Sequence, residues 1–184
     1  MYWLIGIAIF IALILLWGIF KYNSFIQFSN LISEAWSGID IQLKRRYDLI
    51  PNLVETVKGY AKHESSVFED IAKLRSASMN ATTVEQKSEA EVGLTKALKT
   101  LFAVVENYPE LKANQNFLVL QQELTNIENQ IQLARRYYNG VARDYNTRIR
   151  VFPGNLVAGI FHFEPKSFFE LSSVAERENP QVKF

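Results

Sequence analysis

The side chains able to do chemistry in this chain are few and scattered. His63 stands beside Glu64, but no second histidine follows four residues later, as a zinc-binding helix needs, and His162 lies among phenylalanines with no obvious acidic partner. There is no cysteine, which excludes thiolate nucleophiles, disulfides and Cys-ligated metals. Neither a glycine-rich phosphate loop nor a Gly-x-Ser-x-Gly turn is present. The carboxylates of Glu123 and Glu128 share one helical pattern, where acids are ordinarily solvated or matched to a nearby arginine. The chain therefore reads as non-enzymatic, with no catalytic, cofactor-binding or metal-ligating residue to nominate and no cofactor implied.

Two basic clusters stand out, Lys44-Arg45-Arg46 and Arg135-Arg136-Arg143-Arg148-Arg150. Arginine is mostly exposed, so the first reading of both is a solvated or salt-bridged face. The alternative is a contact surface for an acidic partner or anionic headgroups. A formal charge of only +1 argues against nucleic acid as the partner. Tyr138 and Tyr145 lie one heptad apart, each followed by asparagine, and read as a packing and hydrogen-bond register because buried tyrosine hydroxyls normally find a partner.

These groups sit on elements with strong apolar periodicity. From Phe117 to Tyr145 the apolar residues are Phe117, Leu120, Leu124, Ile127, Ile131, Ala134, Tyr138, Val141 and Tyr145, in alternating steps of three and four. That is a coiled-coil-like heptad seam on a long helix, and it must be covered by neighbours. A second stripe runs through Phe25, Phe28, Ile32, Ala35, Ile39, Leu43, Tyr47, Ile50, Val54, Val57 and Ala61, with a local stutter where two steps of four pass through Leu43. Pro51 falls inside it, and because the apolar phase carries straight on, one long kinked helix is expected. Ser66-x-x-Glu69 has the form of a capping box before a helix from about Val67 to Met79, with Val67, Ile71, Leu74 and Ser78 in phase. Thr82 with Glu85 offers another box ahead of a helix carrying Leu94, Leu98, Leu101, Val105 and Tyr108. That helix should end before Pro109, which can open the organising helix. Short loops between long helices predict an all-α fold, an antiparallel up-and-down four-helix bundle.

The run from Met1 to Phe20 contains no charged side chain and at 1.5 Å per residue reaches about 30 Å, enough to cross a bilayer. Trp3 and Trp17 with Lys21 and Tyr22 resemble interfacial anchors. Bulky Phe20-Lys21-Tyr22 lacks the small-x-small pattern of a cleavage site, so an uncleaved anchor is expected. Its helix is expected to continue into the second stripe. Lys21, on the C-terminal side, places the remainder in the cytoplasm and the N-terminus outside, in a single-pass arrangement. The organisation expected is an anchor over residues 1–22, which contacts membrane lipid, a helical bundle over 23–150, and an aromatic tail with a polar end over 151–184. In the tail, Ile160, Phe161, Phe163, Phe168 and Phe169 either fold back to be buried or form an exposed apolar edge for self-association or the membrane surface. Glu176-Arg177-Glu178-Asn179-Pro180 reads as a polar, frayed end.

The chain resembles the LemA family of bacterial membrane proteins over nearly everything after the anchor. The carrying segments are Arg45 to Val54, Gly59-Tyr60-Ala61, His63-Glu64, Tyr108 to Asn114, Asn116-Phe117, Glu128-Asn129, Arg135, Tyr138-Asn139, Tyr145-Asn146-Thr147 and Phe152-Pro153. The resemblance implies one N-terminal span followed by a four-helix bundle, in a bacterial inner membrane, and it implies no reaction. Members are discussed beside membrane proteases and in membrane-organelle biogenesis. Three functional classes follow: a membrane-anchored scaffold that self-associates as a homo-oligomer, an adaptor or regulator of a membrane protease or signalling system, and an enzyme whose site is unrecognised.

Overall fold

The computed structural model describes residues 1–170, and the polar end expected at Glu176 to Pro180 lies outside them. The described residues form six helices and no strand: α1 (Tyr2–Lys58), α2 (Ser65–Asn80), α3 (Val84–Val105), α4 (Pro109–Lys112), α5 (Gln115–Arg150) and α6 (Gly154–Ile160). The protein is all-α, as expected, and α1 carries the long apolar N-terminal stretch without interruption into the second stripe.

α1 also continues through Pro51. A proline costs a helix interior about 3 kcal/mol. Ile50, Leu53, Val54 and Val57, all buried around it, each return about 1.5–3 kcal/mol on burial, so packing outweighs the lost hydrogen bond. The ring of Pro51 itself faces solvent.

The residues group into two compact units. In the first, Met1–Gly38 is joined by Ala134–Phe168. Trp36 meets Tyr138 edge-on with centroids 5.6 Å apart, and Arg148 stacks over Phe28 at 4.1 Å, so the α1 and α5 segments of this unit run antiparallel. Its core is Phe25, Ile32 and Ala35 with Val141, Ala142, Tyr145, Ile149, Val157 and Ala158.

The second unit holds Ile39–Leu133 with Phe169 and Glu170. Arg75 Nε donates to the Tyr47 carbonyl at 2.7 Å, and Lys58 Nζ lies 5.7 Å from the centre of the Phe68 ring, so α2 runs antiparallel to this part of α1. Lys87 pairs with Asp40 at 2.7 Å and Glu91 with Tyr47, so α3 runs parallel to it. Asn114, just ahead of α5, donates to Tyr60 at 3.0 Å while Glu128 reaches Arg46, which makes α5 antiparallel again.

Local signals need correction at three places. The Ser66 capping box does not form: α2 begins two residues earlier than expected, at Ser65, its N-cap Glu64 makes no side-chain cap, and the buried residues are Phe68, Ile71 and Ser78 while Val67 and Leu74 are half-buried. The second box forms one residue later than expected. Thr83 Oγ1 accepts from the Gln86 amide at 3.2 Å and Gln86 Oε1 accepts from the Thr83 amide, because glutamine at the third helical position closes the pair as well as glutamate does. Pro109 opens the one-turn α4 and not α5. The latter starts after Asn114, whose Oδ1 accepts from the Phe117 amide at 3.1 Å.

Of the seam on α5, Phe117, Leu124, Ile127, Ile131, Tyr138, Val141 and Tyr145 are buried, and Leu120 and Ala134 half-buried. Leu124→Ala or Ile131→Ala should lower stability by about 2–5 kcal/mol through the cavity left behind. Gln122→Ala, at an exposed position bonded only to Asn126, should cost about 0.5 kcal/mol or less. Urea denaturation followed by circular dichroism separates the two kinds of position.

Candidate functional site

The stutter in the α1 stripe dissolves once Arg46 is counted. Ile39, Leu43, Arg46, Ile50, Leu53 and Val57 follow steps of four and three, and every one is buried. Arg46 is the largest fully buried side chain described, at 0% exposure, so of the solvated or salt-bridged face expected for Lys44-Arg45-Arg46 its third member takes the salt-bridged form, and takes it inside the core. Lys44 and Arg45 do face solvent.

A guanidinium taken from water costs several kcal/mol unless opposite charge and acceptors replace the lost hydration. Here Nη2 meets the fully buried Glu91, while Nη1 donates to Glu128 at 2.6 Å and to Thr95 Oγ1 at 3.4 Å. The Tyr47 hydroxyl donates to the other oxygen of Glu91. Residues of α1, α3 and α5 thus converge on one charge. Glu128, read as solvated or matched to arginine, is matched. Nε of Arg46 is buried and makes no hydrogen bond among the described residues.

Glu91 was missed because a carboxylate is not counted in an apolar stripe. The readable signal was its phase: Lys87, Glu91, Leu94, Leu98, Leu101 and Val105 step by four and three, and all are buried. Lys87 is answered by Asp40 across the helix pair. Arg46 and Glu91 are fully buried and Glu128 is partly open to solvent, and the cluster acts to hold three helices in register.

A second polar cluster lies in the first unit, at the Tyr-Asn repeat. The Tyr138 hydroxyl donates to the Ser167 carbonyl at 3.0 Å. Asn146 makes a two-way pair with Lys166, Nδ2 to its carbonyl and Oδ1 from its amide, each at 2.8 Å. The expected hydrogen-bond register thus forms at Tyr138 and Asn146, with the backbone of the chain after α6 as partner, while Tyr145 is a buried packing residue. Burial, and then the nearby Glu164 charge, raise the pKa of Tyr145 above the ordinary tyrosine value.

The remaining polar surface is open. A groove of about 660 Å³ is lined by Arg45, Asp48, Leu49 and Asn52 of α1 and by Glu123, Asn126, Ile127 and Gln130 of α5. The motif Arg45 to Val54 thus presents one face to the core and the other to this groove. Another hollow, of about 370 Å³, is lined by Arg143, Asn146, Thr147, Arg150, Pro165, Lys166 and Phe168. Arg136, Arg143, Arg148 and Arg150 are exposed, with Arg143 bonded to Asp144, and Arg135 is half-buried. His63 is exposed, and His162, also exposed, adopts φ 57° with Nδ1 3.1 Å from the Gly159 carbonyl. No group of three or more metal-capable side chains occurs among the described residues.

The LemA family profile matches residues 35–184. The chain belongs to the LemA family. The segments that carry the resemblance supply both partners of Arg46–Glu128 and of Tyr60–Asn114. Curated relatives include magnetosome protein MamQ 2 of Paramagnetospirillum magneticum, 26% identical over 90% of this chain and 69% of its own length. MamQ of Magnetospirillum gryphiswaldense is 25% identical over 81% of this chain and 64% of its own. Protein LemA of Metamycoplasma hominis is 29% identical over 83% and 70% respectively. These relatives and the apolar start of α1 together support a membrane location for this LemA-family chain.

Two outcomes follow. Arg46→Met strands Glu91 in the core and should cost about 3–5 kcal/mol. Arg46→Met with Glu91→Leu should recover much of that loss, which a double-mutant cycle in urea measures. For Tyr145, a folded-state pKa above the unfolded one means that the unfolded chain gives up its proton first. Stability should therefore fall as pH rises above about 10. Tyr145→Phe should flatten that alkaline decline, read as the denaturation midpoint across pH 9 to about 11.

Proposed function

We propose that this LemA-family chain is a non-catalytic, membrane-anchored helical scaffold that works by binding proteins, itself included. The observation that carries the reading is where the buried charge goes. Arg46, Glu91 and Lys87 are engaged by side chains of other helices in their own unit, in contacts that hold helices together. The succession antiparallel, parallel, antiparallel around α1 supports an up-and-down four-helix bundle with coiled-coil-like packing. Residues 1–22 are the anchor, 23–150 the helical domain and 151–184 the tail.

In this reading α1 crosses a bacterial inner membrane once, and Lys21 sets the domain on the cytoplasmic side. The outward residues Leu118 and Val119 on α5, both exposed, favour self-association, since helical domains with spare apolar surface commonly assemble as symmetric oligomers. Crosslinking of the full-length chain in membranes at native expression should trap dimers or larger species, weakened by Leu118→Lys with Val119→Lys. A strictly monomeric protein with no crosslinked neighbour would count decisively against the scaffold.

A further inference from the structure

α6 carries apolar residues on both sides, with Asn155 its one exposed polar side chain. Gly154, Val157 and Ala158 are buried, while Leu156 and Ile160, one turn apart on the other side, are 55% and 71% exposed. Phe152 and Phe161 extend that outer face, at 79% and 55% exposure. The outward face of α6 thus holds no charge, an arrangement that water does not favour and that marks a contact surface.

Its position says what covers it. A Cβ on Gly154 would stand 2.6 Å from the Arg148 carbonyl and 3.4 Å from the Phe25 ring, so α6 is seated closely against α5 and α1. Past its end, His162 turns through the left-handed region, and the rings of Phe161 and Phe163 lie 4.7 and 5.6 Å from that of Tyr22. Tyr22 follows the last residue of the uncharged run, Phe20, by two positions, about 3 Å along the helix axis. Phe161 is therefore level with the place where hydrocarbon gives way to headgroups. Lys21 on α1 and exposed Arg148 and Arg150 at the end of α5 provide the positive charge that suits an anionic leaflet.

We infer that α6 and its flanking phenylalanines form a second membrane attachment, a collar lying in the lipid interface beside the exit of α1, with Leu156, Ile160, Phe152 and Phe161 turned into the bilayer. Aromatic and aliphatic side chains at that depth, rimmed by cations, are what an interfacial helix presents. The collar rests on the reading of Met1 to Phe20 as a span, and it ties the first unit to the membrane at two places instead of one.

The cysteine-free chain allows single labels without background. Full-length protein carrying a nitroxide at Leu156→Cys, Ile160→Cys or Phe152→Cys is placed in bilayers of phosphatidylcholine with phosphatidylglycerol. Collision with oxygen and with a water-soluble nickel chelate is then measured. Leu15→Cys marks the hydrocarbon, and Glu34→Cys, about 18 Å beyond Tyr22 along α1, marks water. The collar predicts oxygen-to-nickel ratios at all three test positions several-fold above Glu34 and below Leu15. Ratios matching Glu34, with Leu15 in hydrocarbon, overturn the collar and leave the span standing; a water-like Leu15 overturns both. Protection from both reagents with dipolar broadening between labels assigns the face to a second copy and also overturns the proposal. The test positions are already more than half exposed, so labels displace no packing, and circular dichroism checks each variant's helix content.

Discussion

A guanidinium with no access to water is the constraint around which the second unit is built. Burying it unpaired is costly enough to unfold a marginal domain, so its surroundings must deliver acceptors from fixed directions. Glu91 from α3 and Glu128 from α5 do so, and Tyr47, next to Arg46 on α1, donates to Glu91. Apolar packing tolerates a helix sliding by part of a turn, because one leucine replaces another at modest cost. Arg46 does not tolerate it, since a shift of one residue on α3 or α5 removes its counter-charge. The same logic applies more weakly at Lys87 and Asp40, where the acid is half open to solvent.

The first unit is held by a different device. The stretch after α6 belongs to no helix or strand that would satisfy its backbone, so side chains of α5 take that role. Asn146 imitates a peptide group toward Lys166, and Tyr138 donates to Ser167. Because Tyr138 also meets Trp36, the hydroxyl end of the ring fixes the tail while its body packs on α1. Phe163 is drawn in against Phe25 and Tyr22, and Phe161, two residues earlier, rests on Tyr22 with more than half of its surface still open. The tail aromatics thus follow neither of the two single fates expected for them: one group packs and the other faces outward.

Much of this was legible from residues alone. The α5 seam, the continuous α1 with Pro51 inside it, and the Tyr-Asn register follow from periodicity and from the need of buried hydroxyls for partners. What escaped was polar and in phase. Arg46 and Glu91 occupy core positions of their stripes, yet composition rules place charges outside, so the irregular step through Leu43 looks like a stutter in an apolar count and is in fact the mark of a charged core position. Capping signals were ambiguous for a related reason: Ser66, Thr82 and Thr83 all have the right chemistry, and which one caps is decided by where the helix is set by its buried face.

The sequence by itself determined the class of fold, the apolar stretch at the start of α1, the faces of the long helices and membership of the LemA family, since each depends on local periodicity or on motif spacing. The tertiary structure alone decided that Arg46 is inside, that Glu91 and Glu128 answer it, and that α6 is seated beside Tyr22 with an apolar face left open. Those are matters of which side chains from distant positions arrive at the same point, with residues 45 and 82 apart in the chain meeting Arg46. No periodicity within one helix encodes the partner that another helix will bring.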